Sequence, residues 1–428
     1  MIETFFPRDP VARALTRTTM AFALSSGVFY TVSALYFTRV IGLTPTTVGL
    51  GLGIAGGAAV AASYGAGWLS DRTGAHRVQV WATALQGLAI LAYVGARDVW
   101  SFTVVAVIAL VARASQGTAR QALLARWYTG ADRVTVRARM RVVTNVFIGL
   151  GTTVAALALL IDTPLAYQAA MLSVGALLLL ATIPIARLPR RVPDLAARML
   201  ADDDAAPSND DPPGRRNTDS RHPLRDRTYV TSVALNSVVA MHFGLQTIGV
   251  PLWVATTDAP KAMVSALLVL NTILVASLQV RASRGTHDVR LAGVAVRRGG
   301  WLLAAACLVY AGAAYGNLAA ACALLVIGAV LHSLAEILAE AGGWGMAFEL
   351  ADPRRAGAYQ GLTQTGYALA AMLSPIAVTV LAIRHGTLGW IALAVLFAAA
   401  GTGAAALARQ AASRPASARH PDPVTTAA

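Results

Sequence analysis

His332, Glu336 and Glu340 recur at every fourth position. On a helix, successive members of such a series turn by only about 40° and form one polar ridge. The ridge lies inside an apolar run, 317–346, long enough to cross a hydrocarbon core. Every other carboxylate falls in a loop, a tail or at the end of an apolar run, so Glu336 and Glu340 are the acids expected within the membrane. A carboxyl taken out of water changes charge only with a large electrostatic consequence, which suits proton carriage. Glu336 is the expected main carrier, with Glu340 as relay about 6 Å further along the helix. The ionised form needs a cation, and Arg113, near the middle of the run 100–124, is the expected partner; Arg120 is expected to snorkel to the interface. The same ridge has the donor types of a metal site, which makes an intramembrane metalloenzyme the rival reading. No third-ligand motif accompanies it, and neither metal nor cofactor is expected.

The elements that must hold this ridge follow from composition. Of 428 residues, 56% are hydrophobic and 13% charged, and the mean hydropathy is +0.58, more apolar than a water-soluble chain of this length needs. A disordered chain, a coiled coil and a disulfide scaffold are excluded, and the two cysteines, Cys307 and Cys322, lie in apolar runs. The net charge of +14 does not indicate nucleic acid, because the arginines sit between apolar runs rather than on a contiguous soluble face. Twelve runs of spanning length occur, near 15–38, 47–69, 77–96, 100–124, 141–161, 165–187, 229–254, 262–281, 295–315, 317–346, 358–382 and 387–408. The gaps at Arg97 to Val99 and at Gly316 also admit a continuous helix. No cleavable signal is expected, since the first run is too long for a signal core.

With the N-terminus inside, 29 of the 35 basic residues fall on the inner side, four on the outer and two within the fourth run. This asymmetry predicts a multi-pass protein of a bacterial inner membrane with both termini in the cytoplasm. The expected organisation is two pseudo-symmetric six-helix bundles, 1–187 and 229–408. Between them lies a mobile cytoplasmic linker, 188–228, and after them a disordered cytoplasmic tail, 409–428. The linker contains the Asp202 to Asp204 run and Pro207, Pro212 and Pro213. A faint internal echo at an offset of 219 residues sets Thr144-Asn145 against Thr363-Gln364 and Arg113 against His332. Two such halves joined by an inner linker match a rocking transporter with its site near the midplane.

Between the second and third runs stands Gly67-Trp68-Leu69-Ser70-Asp71-Arg72-Thr73-Gly74-Ala75-His76-Arg77. Gly67 permits close helix contact, Gly74 a tight turn, and Asp71 with Arg72 and Arg77 offers ion pairs at an inner gate. The stretch closely resembles the G-x-L-x-D-R-x-G-x-R-R loop signature of the major facilitator superfamily, with His76 replacing the first of the closing basic pair. Arg113-Ala114-Ser115-Gln116-Gly117 is similar to the superfamily's R-x-x-Q-G pattern. Arg355-Ala356-Gly357-Ala358-Tyr359-Gln360-Gly361 looks like the opening of the eleventh helix in drug:proton antiporters. The fifth run departs from those exporters, reading Gly149-Leu150-Gly151 with no following proline.

The resemblance implies a proton-coupled transporter, most simply one that exports a hydrophobic or amphipathic small molecule by alternating access. Proton-coupled uptake of a small metabolite is the second reading. The implied partners are the solute, protons and the bilayer, with the chain as a monomer. Tyr30, Gln116, Asn145, Asn236, His242, Gln246 and Asn271 are the remaining intramembrane polar or aromatic candidates for a substrate cavity. Gly51-Leu52-Gly53-Ile54-Ala55-Gly56 fits the dinucleotide fingerprint G-x-G-x-x-G but lies within an apolar run with no preceding strand, so it is accidental.

Overall fold

The computed structural model describes residues 2–200, 222–315 and 317–413. Residues 201–221 of the expected linker and 414–428 of the expected tail lie outside them. Among the described residues all regular structure is helical, and twelve helices are long and apolar enough to span a membrane. They are α1 Pro10–Val40, α2 Pro45–Thr73, α3 Ala75–Gly95, α4 Val99–Trp127, α5 Gly130–Ile161, α6 Pro164–Arg191, α7 Arg227–Val254, α8 Ala262–Ala282, α9 Val289–Tyr315, α10 Leu318–Glu349, α11 Pro353–Arg384 and α12 Gly386–Ser413. The chain is an all-helical, multi-pass membrane protein, as composition requires.

Polar caps punctuate the apolar runs. Asp9, Thr44 and Thr163 accept backbone N–H bonds at the starts of α1, α2 and α6, each directly before a proline that has no donor to waste in a first turn. Asp98 accepts from the N–H groups of Trp100 and Ser101 while the Ser101 hydroxyl accepts from the Asp98 N–H. The short gap before α4 is therefore a capped break. Gly74, at φ 92°, turns α2 into α3 in a backbone region closed to most side chains.

The largest departure from the sequence reading is at α5, which begins at Gly130 rather than near 141. Arg133, Arg137, Arg139 and Arg141 lower the local hydropathy, yet three of them face aromatic rings and carboxylates of α10 and α7 instead of lipid. Two helices absorb an interior proline with a widened turn: Leu245–Gly249 precedes Pro251 in α7, and Thr379–Arg384 follows Pro375 in α11.

Close packing repeats in the two halves of the chain. Gly27 and Gly151 bring α1 against α5, and Gly87 and Gly175 bring α3 against α6. In the same relative positions Gly244 meets Ser374 between α7 and α11, and Gly300 meets Gly401 between α9 and α12. One apolar cluster, around Phe37, Tyr93 and Phe102, belongs to α1–α6; another, around Trp253, Tyr310, Trp390 and Phe397, belongs to α7–α12. They are separate. Apolar residues of both halves mix in a third cluster, where Leu15, Leu123, Leu195 and Met199 meet Trp344 and Phe348. The halves thus share packing at the end of the bundle that carries Asp71.

Candidate functional site

The polar ridge of α10 faces the first half of the molecule. Glu336 is 1% exposed, and its carboxylate accepts from Arg141 Nη2 of α5 at 2.6 Å and from Asn271 Nδ2 of α8 at 2.9 Å. Asn271 also donates to Ser333 Oγ at 3.1 Å, so the amide is fixed by two residues of α10. One turn further, buried Glu340 accepts from the Tyr367 hydroxyl of α11 at 2.9 Å, with Arg137 and Arg141 near enough to act on it electrostatically. Since α5 and α10 run antiparallel, the spacing of Arg137 and Arg141 mirrors that of Glu340 and Glu336. His332 closes the ridge on the other side, its Nε2 lying 3.3 Å from Nδ1 of buried His242 in α7.

Arginine side chains of α5 also lie over rings of the second half. Arg133 sits 5.4 Å from the Phe348 centroid, Arg137 4.3 Å from Trp344 and Arg141 5.0 Å from Phe243. Flat guanidinium groups stack well on such faces. Arg133 further donates to the Phe348 carbonyl at 3.3 Å and approaches Glu349 at 3.8 Å.

Arg113 is not the partner of Glu336. Its Nη1 donates to Ser26 Oγ at 3.2 Å, and its guanidinium carbon lies 5.0 Å from the Phe22 ring and 5.1 Å from Tyr30. It is thereby held against α1, while Arg141, at the inner edge of the fifth run in the sequence reading, reaches the glutamate. The gate needs a similar correction. Asp71 takes neither Arg72 nor Arg77, both of which are exposed; Arg72 lies 3.8 Å over the Trp68 ring. Arg126 Nη2 of α4 donates to Asp71 at 2.7 Å, and the backbone N–H groups of Gly357 and Ala358 in α11 donate at 2.7 and 2.8 Å. Arg126 also reaches the Arg354 carbonyl at 3.1 Å. A Cβ on Gly67 would stand 2.2 Å from the Gly357 carbonyl oxygen, so the glycine contact is what allows α2 and α11 to meet.

The remaining candidates divide between two regions. Gln246, Asn271 and His332 line a small cavity of about 20 Å³ among α7, α8, α9 and α10. Asn236 lines another with Tyr367, and its amide donates to the Ser232 carbonyl at 2.9 Å. Across the molecule, Tyr30 is exposed beside Arg113, Asn145 is half-buried on α5, and Gln116 is fully buried on α4 with both side-chain amide atoms lacking a hydrogen-bond partner among the described residues. Gly51 to Gly56 lie inside α2. Sequence reasoning missed Arg126, Arg137, Arg141 and Tyr367. The four-residue spacing of Arg133, Arg137 and Arg141 was the available signal for the α5 arginines.

The sequence model of the family described as Major Facilitator Superfamily matches residues 16–375. No curated protein matches the sequence. Among solved structures, a bacterial homologue of the iron transporter ferroportin in an outward-facing state superposes with TM-score 0.67 at 15% identity, covering 94% of this chain and 100% of that one. The human organic anion transporter MFSD10 (TETRAN) gives 0.60 at 17% identity, covering 93% and 99%. The proton:xylose symporter XylE, bound to 6-bromo-6-deoxy-D-glucose, gives 0.63 at 13% identity, covering 94% and 95%. At these identities the likeness is one of fold.

Proposed function

Because this chain belongs to the major facilitator superfamily, and is accordingly a transporter rather than an enzyme, we propose that it exports an amphipathic small molecule by alternating access, driven by inward proton flow through Glu336 and Glu340. The observation that carries the proton assignment is the bond between Glu336, buried on α10, and Arg141 on α5 at 2.6 Å, because it ties the two halves through a group that a proton can neutralise. A proton arriving from the outer side converts Glu336 to a neutral acid, the charge-assisted bond is lost, and the equilibrium shifts toward opening at the Asp71 end. Release of the proton to the inner side as solute loads restores the pair and the closed Asp71 end. Glu340, bonded to Tyr367, lies on the inner side of Glu336 and serves as relay.

This reading puts the Asp71 end and both termini in the cytoplasm of a bacterial cell, with the chain acting as a monomer in the inner membrane. A reporter fused after residue 428 then reports the cytoplasm and one near Thr257 the outside; the opposite result overturns the direction of proton entry. The cargoes named for the structural neighbours are an organic anion, iron and xylose, which share no chemistry. They therefore fix no substrate.

The deciding experiment is transport in proteoliposomes under an imposed pH gradient. Glu336→Gln should retain the fold and abolish gradient-driven movement, leaving at most gradient-independent exchange. Solute movement that still follows the gradient in Glu336→Gln and in the double variant with Glu340→Gln would place the proton elsewhere.

A further inference from the structure

Resting on the transport reading above, we propose that the solute is an organic anion, an amphipathic molecule with a carboxylate or phosphate head, and that Arg113, Arg120 and Arg137 receive that head. The interior of the molecule is not electrically balanced. Arg113 and Arg120 on α4 and Arg137 and Arg141 on α5 make four arginines within the spans against two carboxylates, Glu336 and Glu340, which only the two α5 arginines approach, so two positive charges remain even when both glutamates are ionised. Glu336 is committed to Arg141. Among the described residues Arg113, Arg120 and Arg137 form no ion pair within bonding distance.

What they have instead is incomplete. Arg113 has one serine hydroxyl and two ring faces. Arg120 lies 5.8 Å from the Phe22 ring, near enough to Arg113 and Arg137 to feel both as like charges, and its buried Nε has no acceptor among the described residues. The Nε of Arg137 is likewise buried without an acceptor, its guanidinium lying over Trp344. Ring faces offset part of the cost of an intramembrane guanidinium, but they cannot supply the acceptors that its five N–H groups require. Like charges gathered where hydrocarbon or low-dielectric protein surrounds them raise that cost. Such an arrangement persists when a counter-charge is part of the working cycle.

The sequence of α4 places the donors for one head group. Arg113 and Arg120 are seven residues apart, so they lie on the same face about 10 Å apart along the axis. Gln116 falls between them, fully buried, with both ends of its amide unpartnered among the described residues. Two guanidinium forks and an amide NH₂ on one stripe, faced by Arg137, match the oxygen-rich surface of a carboxylate or phosphate better than any cation or neutral head. Beside them Phe22 and exposed Tyr30 give an apolar wall for the tail.

The test uses the full chain in lipid nanodiscs and four probes that share one tail: 4-phenylbutyrate, 4-phenylbutyl phosphate, 4-phenylbutyramide and 4-phenylbutylamine. Calorimetric titration without any gradient should rank both anions at least about tenfold tighter than the amide, with the amine weakest. Whichever anion is tighter identifies the head. Arg120→Gln and Arg137→Gln should each weaken the anions about tenfold and leave the amide unchanged, and Arg120→Lys should recover part of the loss. Arg113→Gln gives the same reading if the Arg120 and Arg137 variants do not fold. Equal binding of all four probes, including no binding of any, overturns the proposal, as does a preference for the amine or a uniform loss across all probes. Selective anion binding combined with gradient-driven transport in Glu336→Gln refutes the proton assignment and leaves the anion site standing. Unselective binding combined with loss of that transport refutes the anion site alone.

Discussion

Two of the carboxylates that join the halves of this molecule, Asp71 and Glu336, are held in opposite ways. Asp71 meets backbone N–H groups of Gly357 and Ala358, which keep their place whatever the charge around them, and Arg126 from its own half. Glu336 meets Arg141 from the other half and Asn271 from its own. Bonds to fixed helix donors make a latch that closes when two surfaces come together. A bond between two side chains from different halves makes a tie whose strength depends on protonation of one member. The latch lies where the apolar clusters of both halves already mix, and the tie lies further along α10, where Arg141 also crosses to the Phe243 ring.

The sharpest way to break the comparison is to remove the cation of the tie. Arg141→Gln leaves Glu336 buried without its charge partner, a change that costs about 3–5 kcal/mol in fully buried pairs and lies toward the lower end here, since Arg141 is 19% exposed. Thermal unfolding in detergent should show the loss, and transport coupled to a pH gradient should vanish. The exchanged pair, Arg141→Glu with Glu336→Arg, should regain most of the stability and some coupling. Equal damage in single and exchanged variants would show that the tie is not a pair interaction.

How much of this was legible in the sequence depends on which partner one asks about. The twelve spans were, because lipid demands apolar length. Glu336 and Glu340 were too, since carboxylates within such a run have few bland explanations. Their partners were not. Arg137 lies in a segment whose own charge disguised it as a loop, with Arg141 at its edge, and the helix begins there at Gly130, facing α10. Arg113 looked like the mate of Glu336 because it is mid-span, but the rotation of α4 aims it at Ser26 and Phe22. The donors to Asp71 belong to the main chain 286 and 287 positions away, and no side-chain pattern announces them.

A milder intervention acts on the latch through shape. A side chain at position 67 would collide with the Gly357 carbonyl, 2.2 Å from where its Cβ must stand, and that backbone cannot yield as a flexible side chain would. Gly67→Val should therefore hold the Asp71 end apart. Spin labels at Thr73 and Arg354 should report a longer mean separation, with transport reduced by a factor of ten to a hundred, about 1.4–2.7 kcal/mol in the closing equilibrium. An unchanged distance distribution would remove the glycine contact from the mechanism.

Smaller still is the effect of charge at the latch. Asp71→Asn keeps the side chain's size and one acceptor, but weakens three bonds that rest on a full negative charge. Turnover should fall about tenfold while the affinity of the bound solute changes little, because the residue biases populations rather than contacting cargo. A variant that binds solute poorly yet turns over at the normal rate would place Asp71 in the cavity instead.

At the opposite end of the bundle an ion pair of ordinary kind supplies the contrast. Arg39 and Asp162 stand 3.0 Å apart with side chains 58% and 53% exposed, and both belong to the first six helices. Asp162 occupies a left-handed position, φ 47°, directly after α5. The Tyr167 hydroxyl first, and Arg39 after it, hold its carboxyl below the usual aspartate range. A depressed carboxyl adds stability above its unfolded value, about 3.9, and loses it as pH falls through the lower folded value. Throughout the range in which transport is measured, Asp162 thus stays ionised and contributes no pH dependence. Arg39→Ala removes a solvent-screened pair that never crosses between halves, so neither the transport rate nor its pH profile should change. If this variant slowed turnover as much as Asp71→Asn, closure at the Asp71 end would no longer explain the effect of charge, and the distinction between latch and surface pair would fall with it.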